Sequence, residues 1–131
     1  MSLFDKLKSA RDIAKESIIE IPWNILNEAK QLETILKESE EVPVLIFKHS
    51  TRCEISKSVL KTFENAFKLL ETRLKLYYLD IWEYRTISNK IEKQFGVLHE
   101  SPQVLIIKNG KSIYDASHYD IDFEVIKKLI K

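Results

Sequence analysis

The stretch VPVLIFKHSTRCEIS, Val42 to Ser56, changes character halfway. Val42 to Phe47 is β-rich and apolar on both faces, the pattern of a central parallel strand covered by helices on each side. Four polar residues, His49, Ser50, Thr51 and Arg52, lead to Cys53, the single cysteine of the chain. From about Arg52 to Glu71 the spacing becomes helical: Ile55, Val59, Phe63, Phe67 and Leu70 share one face, with Lys57, Lys61, Glu64 and Lys68 on the other. A buried strand entering an amphipathic helix through a polar, cysteine-bearing junction fixes the frame for the remaining segments.

Upstream, Pro22 stops any helix, and Pro22 to Leu26 reads as a short edge strand. Asn27 is placed to cap a helix reaching about Glu40, with Ala29, Leu32, Ile35 and Leu36 as its apolar stripe. Downstream, Leu74 to Ile81 is a second strand, and a short helix opens near Thr86 and ends at Gly96, a residue suited to a left-handed helix terminus. QVLIIKNGKSIYDAS, Gln103 to Ser117, reads as a hairpin turning at Asn109-Gly110. Asp120 or Asp122 caps a last helix carrying Phe123, Ile126 and Ile130. The order β-α-β-α-β-α-β-β-α, a parallel half followed by an antiparallel hairpin, is the plan of an α/β thioredoxin-like fold. The expectation is a mixed four- to five-stranded sheet with helices on both faces over residues 21–131, preceded by an N-terminal helical arm over residues 1–20, where Leu3, Phe4, Leu7, Ala10, Ile13, Ala14 and Ile18 recur at helical spacing.

The 131 residues carry 21 basic and 20 acidic side chains, so a net charge of +1 gives no reason to expect nucleic acid or an anionic membrane as partner. No apolar run approaches the ~18 residues of a membrane span. Lys6, Lys8, Arg11 and Lys15 alternate with Asp5, Asp12 and Glu16, which leaves no room for the apolar core of a secretory signal. With one cysteine and no internal disulfide possible, the expected setting is a reducing cytoplasm.

Thr51-Arg52-Cys53-Glu54 has the T-x-x-E form of a capping box, which would put Cys53 in the first helical turn. Unpaired amides and the positive end of the helix dipole there favour an anionic sulfur by ~0.3 to 1 kcal/mol. Arg52 adds to this and Glu54 opposes it. Free cysteine is more often a small buried hydrophobe, but Cys53 follows polar residues and lies off the apolar stripe. Three residues on, Ser56 stands where a C-x-x-C motif has its second sulfur; its hydroxyl can hydrogen-bond a thiolate but cannot close a disulfide. The chemistry expected is that of a single thiol, holding a mixed disulfide that another thiol must release.

HESPQ, His99 to Gln103, supplies the second half of the candidate site. The Ser101-Pro102 bond is either a cis bond kept for a purpose or that of a plain strand-initiating proline, and the residues alone do not choose. In a thioredoxin-like plan this loop lies against the cysteine and frees the Ser101 backbone to pair with an extended substrate segment. His49, His99 and Cys53 lack the spacing of a tight metal-ligand pair, so no metal is expected. A Cys53–His99 pair for acyl transfer is permitted by residue type, yet no oxyanion-hole loop accompanies it. His118 reads as a strand-end residue packing over the last helix.

FKHSTRCEIS (Phe47 to Ser56), HESPQVLIIKNGK (His99 to Lys111) and ASHYDI (Ala116 to Ile121) together resemble the monothiol bacilliredoxins, over about Pro22 to the end of the chain. The resemblance implies a cytoplasmic thiol-disulfide oxidoreductase that removes bacillithiol from S-thiolated client proteins. It implies no tightly bound cofactor, bacillithiol as co-substrate, and a monomer or weak dimer. Cys53 would be the attacking thiolate, with Ser56, Thr51 and Arg52 around it, and Pro102 the cis-proline of a substrate groove with Ser101, His99 and His49. One departure is Glu54, where many members have proline or a small residue. Its carboxylate would repel an acidic ligand such as the malate group of bacillithiol, and Arg52, Lys48 and His49 are near enough in sequence to offset it. The alternatives are an iron–sulfur carrier of monothiol-glutaredoxin type and a redox-silent binding module.

Overall fold

The computed structural model describes residues 21–68 and 74–130. The expected N-terminal arm and the expected end of the cysteine helix near Glu71 lie outside the described residues. Five strands form one mixed sheet: β1 (Trp23–Ile25), β2 (Val44–His49), β3 (Lys75–Asp80), β4 (Gln103–Lys108) and β5 (Lys111–Ser117), in the order β1-β3-β2-β4-β5. β1 and β2 run parallel to β3, whereas β4 is antiparallel to both β2 and β5. The described helices are α1 (Gln31–Glu38), α2 (Glu54–Phe67), α3 (Arg85–Phe95) and α4 (Phe123–Leu129).

Side-chain alternation along the central strands splits the core into two layers. Val44 and Ile46 of β2, with Leu105 and Ile107 of β4, meet Leu32 and Ile35 of α1 and Ile87 and Ile91 of α3. Leu45 and Phe47, with Val104 and Ile106, meet Val59 and Phe63 of α2 and Ile126 of α4. The doubly apolar run that predicted a central strand is therefore the one strand whose six residues are all buried. On the α2 side, Phe63 packs its ring against Trp23, Phe47 and Phe123 at 5.4 to 5.8 Å, and the Trp23 indole donates to Glu64 at 2.8 Å. This fastens the edge strand to the cysteine helix.

Several local details differ from the sequence expectation. α1 begins at Gln31, because the Gln31 side chain accepts from the amides of Asn27 and Glu28 and so finishes the turn before the helix. The hairpin turns at Asn109-Gly110 as expected, with φ of 51° and 76°, the left-handed pair of a type I′ turn. The amides of both residues are tied to Ser39 beyond α1. Asp122, not Asp120, caps α4 by accepting from the Glu124 amide. His118 does not pack over α4: it is exposed at φ 56° and opens a single 3-10 turn, His118–Asp120.

Lys48 is the outlier in β2. It shares a face with Val44 and Ile46 and is fully buried. Burial pushes its ammonium down from 10.5 to about 8, and Glu92 pulls it partly back up. The unfolded chain therefore holds a proton that the folded protein has lost between about pH 8 and 10.5, and stability rises with pH across that window. Replacing Lys48 by methionine removes the buried charge while keeping the volume. Lys48→Met is expected to raise stability at pH 7 by up to about 3 kcal/mol, an advantage that shrinks toward pH 10. Urea unfolding of both proteins at the two pH values measures it; a variant that is less stable at pH 7 contradicts the account.

Candidate functional site

Three loops meet at one end of the sheet. β2 and β3 run parallel and end together at the pair His49 and Asp80, while Gln103, the first residue of antiparallel β4, pairs with Lys48. The segments after β2 (residues 50–53), after β3 (residues 81–84) and before β4 (residues 97–102) thus leave the sheet side by side. In open α/β sheets the carboxyl ends of parallel strands are where ligands bind.

The first loop carries Cys53. The Cys53 amide donates to the Ser50 carbonyl at 3.2 Å, closing a turn through Thr51 and Arg52, and the Cys53 carbonyl accepts the first helical bond from Lys57 at 3.1 Å. Cys53 is therefore the N-cap of α2, with extended backbone (φ −113°, ψ 121°), and not a residue of its first turn. The expected capping box does not form. Thr51 is taken up by the turn and exposed, and the Glu54 carboxylate accepts from Lys57 at 3.3 Å instead of reaching back. The Cys53 side chain makes no cap hydrogen bond to the amides of the following turn, which leaves the sulfur unengaged at the helix start. Cys53 is a free thiol, partly exposed.

Ser56 is completely buried. Its hydroxyl accepts from the Ser50 amide at 3.0 Å and pairs with His49 Nδ1 at 2.8 Å. Burial depresses the His49 pKa below 6.5, against the pull of Asp80 and Glu64. A neutral ring with its proton on Nε2 takes the Ser56 hydroxyl hydrogen at Nδ1. The Ser50 amide, the Ser56 hydroxyl and His49 Nδ1 are then all paired inside the protein. His49, expected on the substrate side, is instead turned under the loop, 4% exposed and against the Tyr78 ring. The Ser56 hydroxyl, expected to face the thiolate, is bonded to Ser50 and His49.

The opposite layer is built on Lys48. Its ammonium lies 3.2 Å from His99 Nδ1, which the Ser88 hydroxyl also meets at 2.8 Å. Two donors on one nitrogen make Nδ1 the acceptor and put the His99 proton on Nε2. Burial, then the charges of Lys48 and Arg85, hold His99 below its ordinary pKa. His99 is therefore neutral at pH 7, and it stands in the loop that ends at Ser101-Pro102, a cis peptide bond. Pro102 is buried, its carbonyl accepts from the His118 amide at 2.9 Å, and Gln103 steadies the loop by donating to the Leu98 carbonyl at 2.8 Å.

The third loop holds a residue that the sequence reading passed over. Trp82 donates from its indole to the Ser50 hydroxyl at 2.7 Å, and the Arg52 guanidinium lies over its ring at 4.3 Å. A large aromatic in a polar strand-to-helix loop, at the same end of the sheet as the cysteine, was the available signal. Among the described residues no three His, Cys, Asp or Glu side chains gather to hold a metal ion, and no helix is long and apolar enough to cross a membrane.

Comparison with known proteins agrees with this geometry. A solved structure described as a candidate oxidoreductase with a thioredoxin fold is 28% identical, with a TM-score of 0.73 over 83% of this chain and 94% of that one. Thioredoxins of Malassezia sympodialis and Schistosoma mansoni share the fold at 16% and 18% identity, with TM-scores of 0.66 and 0.65, over 81% and 83% of this chain and 88% and 98% of theirs. The 28% identical neighbour, together with the family match that follows, supports a thiol oxidoreductase-like role. The family model for monothiol bacilliredoxin BrxC matches residues 24–126, which takes in all three loops, and the chain belongs to that family.

Proposed function

We propose that the protein removes bacillithiol, or a similar small thiol, from mixed disulfides on client proteins through Cys53. The observation that carries this is the position of a lone, partly exposed sulfur at the cap of α2, at the sheet end where the cis-proline loop also emerges. The Cys53 thiolate attacks the bacillithiol sulfur of the client disulfide. A new S–S bond joins Cys53 to bacillithiol, and the client sulfur leaves as a thiolate that takes a proton from water. A second bacillithiol thiolate then attacks the bound bacillithiol sulfur, giving bacillithiol disulfide and free Cys53. Each step exchanges one S–S bond for another. The second thiol must come from outside, since position 56 carries a buried, engaged hydroxyl.

His99, neutral and with an N–H at Nε2, and the Ser101 backbone are the groups that would hold the client segment along the Pro102 loop. The reading also assigns Ser56 a positioning role: it fixes Ser50, and through Ser50 the turn that presents Cys53.

Intact-mass measurement after exposure to bacillithiol disulfide is expected to show one bacillithiol added to the wild type and none to Cys53→Ser. An unmodified wild type would end the proposal. Anaerobic purification with bound iron and visible absorption would instead favour the iron–sulfur carrier.

Ser56→Ala separates positioning from chemistry. Leaving the Ser50 amide and His49 Nδ1 without their shared partner is expected to cost about 1 to 3 kcal/mol of stability, read by urea unfolding. The variant still accepts bacillithiol, at a reduced rate. Complete loss of the adduct in a folded variant would make Ser56 a participant in the exchange itself.

A further inference from the structure

Two arginines crowd one indole beside the cysteine. The Arg52 guanidinium stands 4.3 Å from the centre of the Trp82 ring and that of Arg85 stands 6.0 Å from it. Both are exposed, and among the described residues neither forms a salt bridge. Nothing in the stability of the fold calls for this. Two guanidiniums against one small surface repel each other, and Arg85 is the first residue of α3, whose first turn holds no acidic side chain and whose N-cap, Tyr84, makes no side-chain cap bond. A cation there adds to the positive end of the helix, where an anion would be favoured.

The nearby acids do not neutralise the cluster. Asp80 accepts from the Trp82 and Glu83 amides and so shapes the loop, Glu54 pairs with Lys57 on α2, and Glu83 is exposed beside Trp82. Behind the arginines, Lys48 and Arg85 both act on His99, with Glu92 and Glu100 opposing them more weakly. Trp82 is itself held in place by its bond to Ser50, the residue that also anchors the Cys53 turn. The indole under the two guanidiniums is therefore anchored to the same residue as the Cys53 turn.

We infer that the Arg52–Trp82–Arg85 face is a carboxylate-binding subsite, which receives the acidic groups of the small thiol exchanged at Cys53. The inference rests on the thiol-exchange reading above. Planar guanidinium forks suit carboxylates, and both forks here lie over one indole, that of Arg52 closer than that of Arg85. The subsite selects among small thiols by charge: a thiol with carboxylates is drawn in, a neutral one is indifferent to the face, and a cationic one is repelled.

The test uses the full chain and three disulfides, glutathione disulfide, 2-hydroxyethyl disulfide and cystamine. The rate of adduct formation at Cys53 is followed by intact mass and divided by the rate of each disulfide with free cysteine, which removes intrinsic reactivity. The wild type is expected to rank carboxylated above neutral above cationic, with the spread narrowing at high salt. Arg85→Gln, and more so Arg52→Gln combined with Arg85→Gln, is expected to lower the carboxylated-to-neutral ratio by about tenfold or more. Arg85→Lys restores part of it. Because a change in the thiol itself alters all three rates alike, the ratio reports the subsite alone. A ratio that stays the same in the folded double variant overturns this inference and leaves thiol exchange standing. No adduct from any disulfide, bacillithiol disulfide included, overturns the exchange reading and this inference with it.

Discussion

Burial of β2 on both faces is the constraint from which the site follows. The strand is covered along its whole length, so its last two residues, Lys48 and His49, carry polar side chains into opposite layers of the protein. Neither layer offers water, and each side chain must find a protein partner. His49 finds Ser56 on α2, and Lys48 finds His99 in the loop before β4. The two contacts that satisfy the strand end are thus the same contacts that hold the cysteine turn and the proline loop against the sheet. Polar satisfaction of the core and construction of the site are one event.

The two sides are built for different tolerances. On the α2 side, Ser50 is fastened by its amide to Ser56 and by its hydroxyl to Trp82, so the turn leading to Cys53 has little freedom. Only the sulfur and the residues around it stay open: Thr51, Arg52 and Glu54 are exposed, while Ser50 and Ser56 are buried. On the α3 side a buried lysine, its pKa lowered to about 8 by desolvation and still mostly cationic at pH 7, meets a neutral histidine.

Much of the architecture was legible because it depends on periodicity. The doubly apolar run of β2, the Asn109-Gly110 turn and the Val59–Phe63 part of the α2 stripe each have a single good burial, and the structure adopts it, while Ile55 at the start of that stripe is exposed. Failures came where a local rule met a competing bond. Thr51 and Glu54 match a capping box, but the Cys53 amide closes a turn on Ser50 and moves the helix start two residues along. Asn27 was the better cap by type, yet the Gln31 side chain finished the turn from the other direction. His49 looked like a site residue by proximity in sequence; strand alternation, which also turns Phe47 and Leu45 inward on that face, decides its direction instead. Trp82 offered only its residue type as a signal and Arg85 none, since it is strand pairing between β2 and β3 that brings residue 82 next to residue 50.

The charge on the two sides of Cys53 gives the site a direction. On the helix side Glu54 follows the cysteine and is compensated by Lys57 at the surface, where an exposed pair contributes little. On the loop side Arg52 and Arg85 have no such partner among the described residues, and the core behind them holds Lys48. On the proposed reading, an acidic ligand would meet the Glu54–Lys57 pair from the α2 side and the two guanidiniums over Trp82 from the β3–α3 loop. The residue that looked like a departure from the family, Glu54, need not weaken such a ligand's binding: its carboxylate turns along α2 toward Lys57, away from the stacked guanidiniums. On the proposed subsite, the two guanidiniums on one side of Cys53 would draw the acidic part of an anionic disulfide over Trp82, and the lysine-paired carboxylate on the other side would not compete for it.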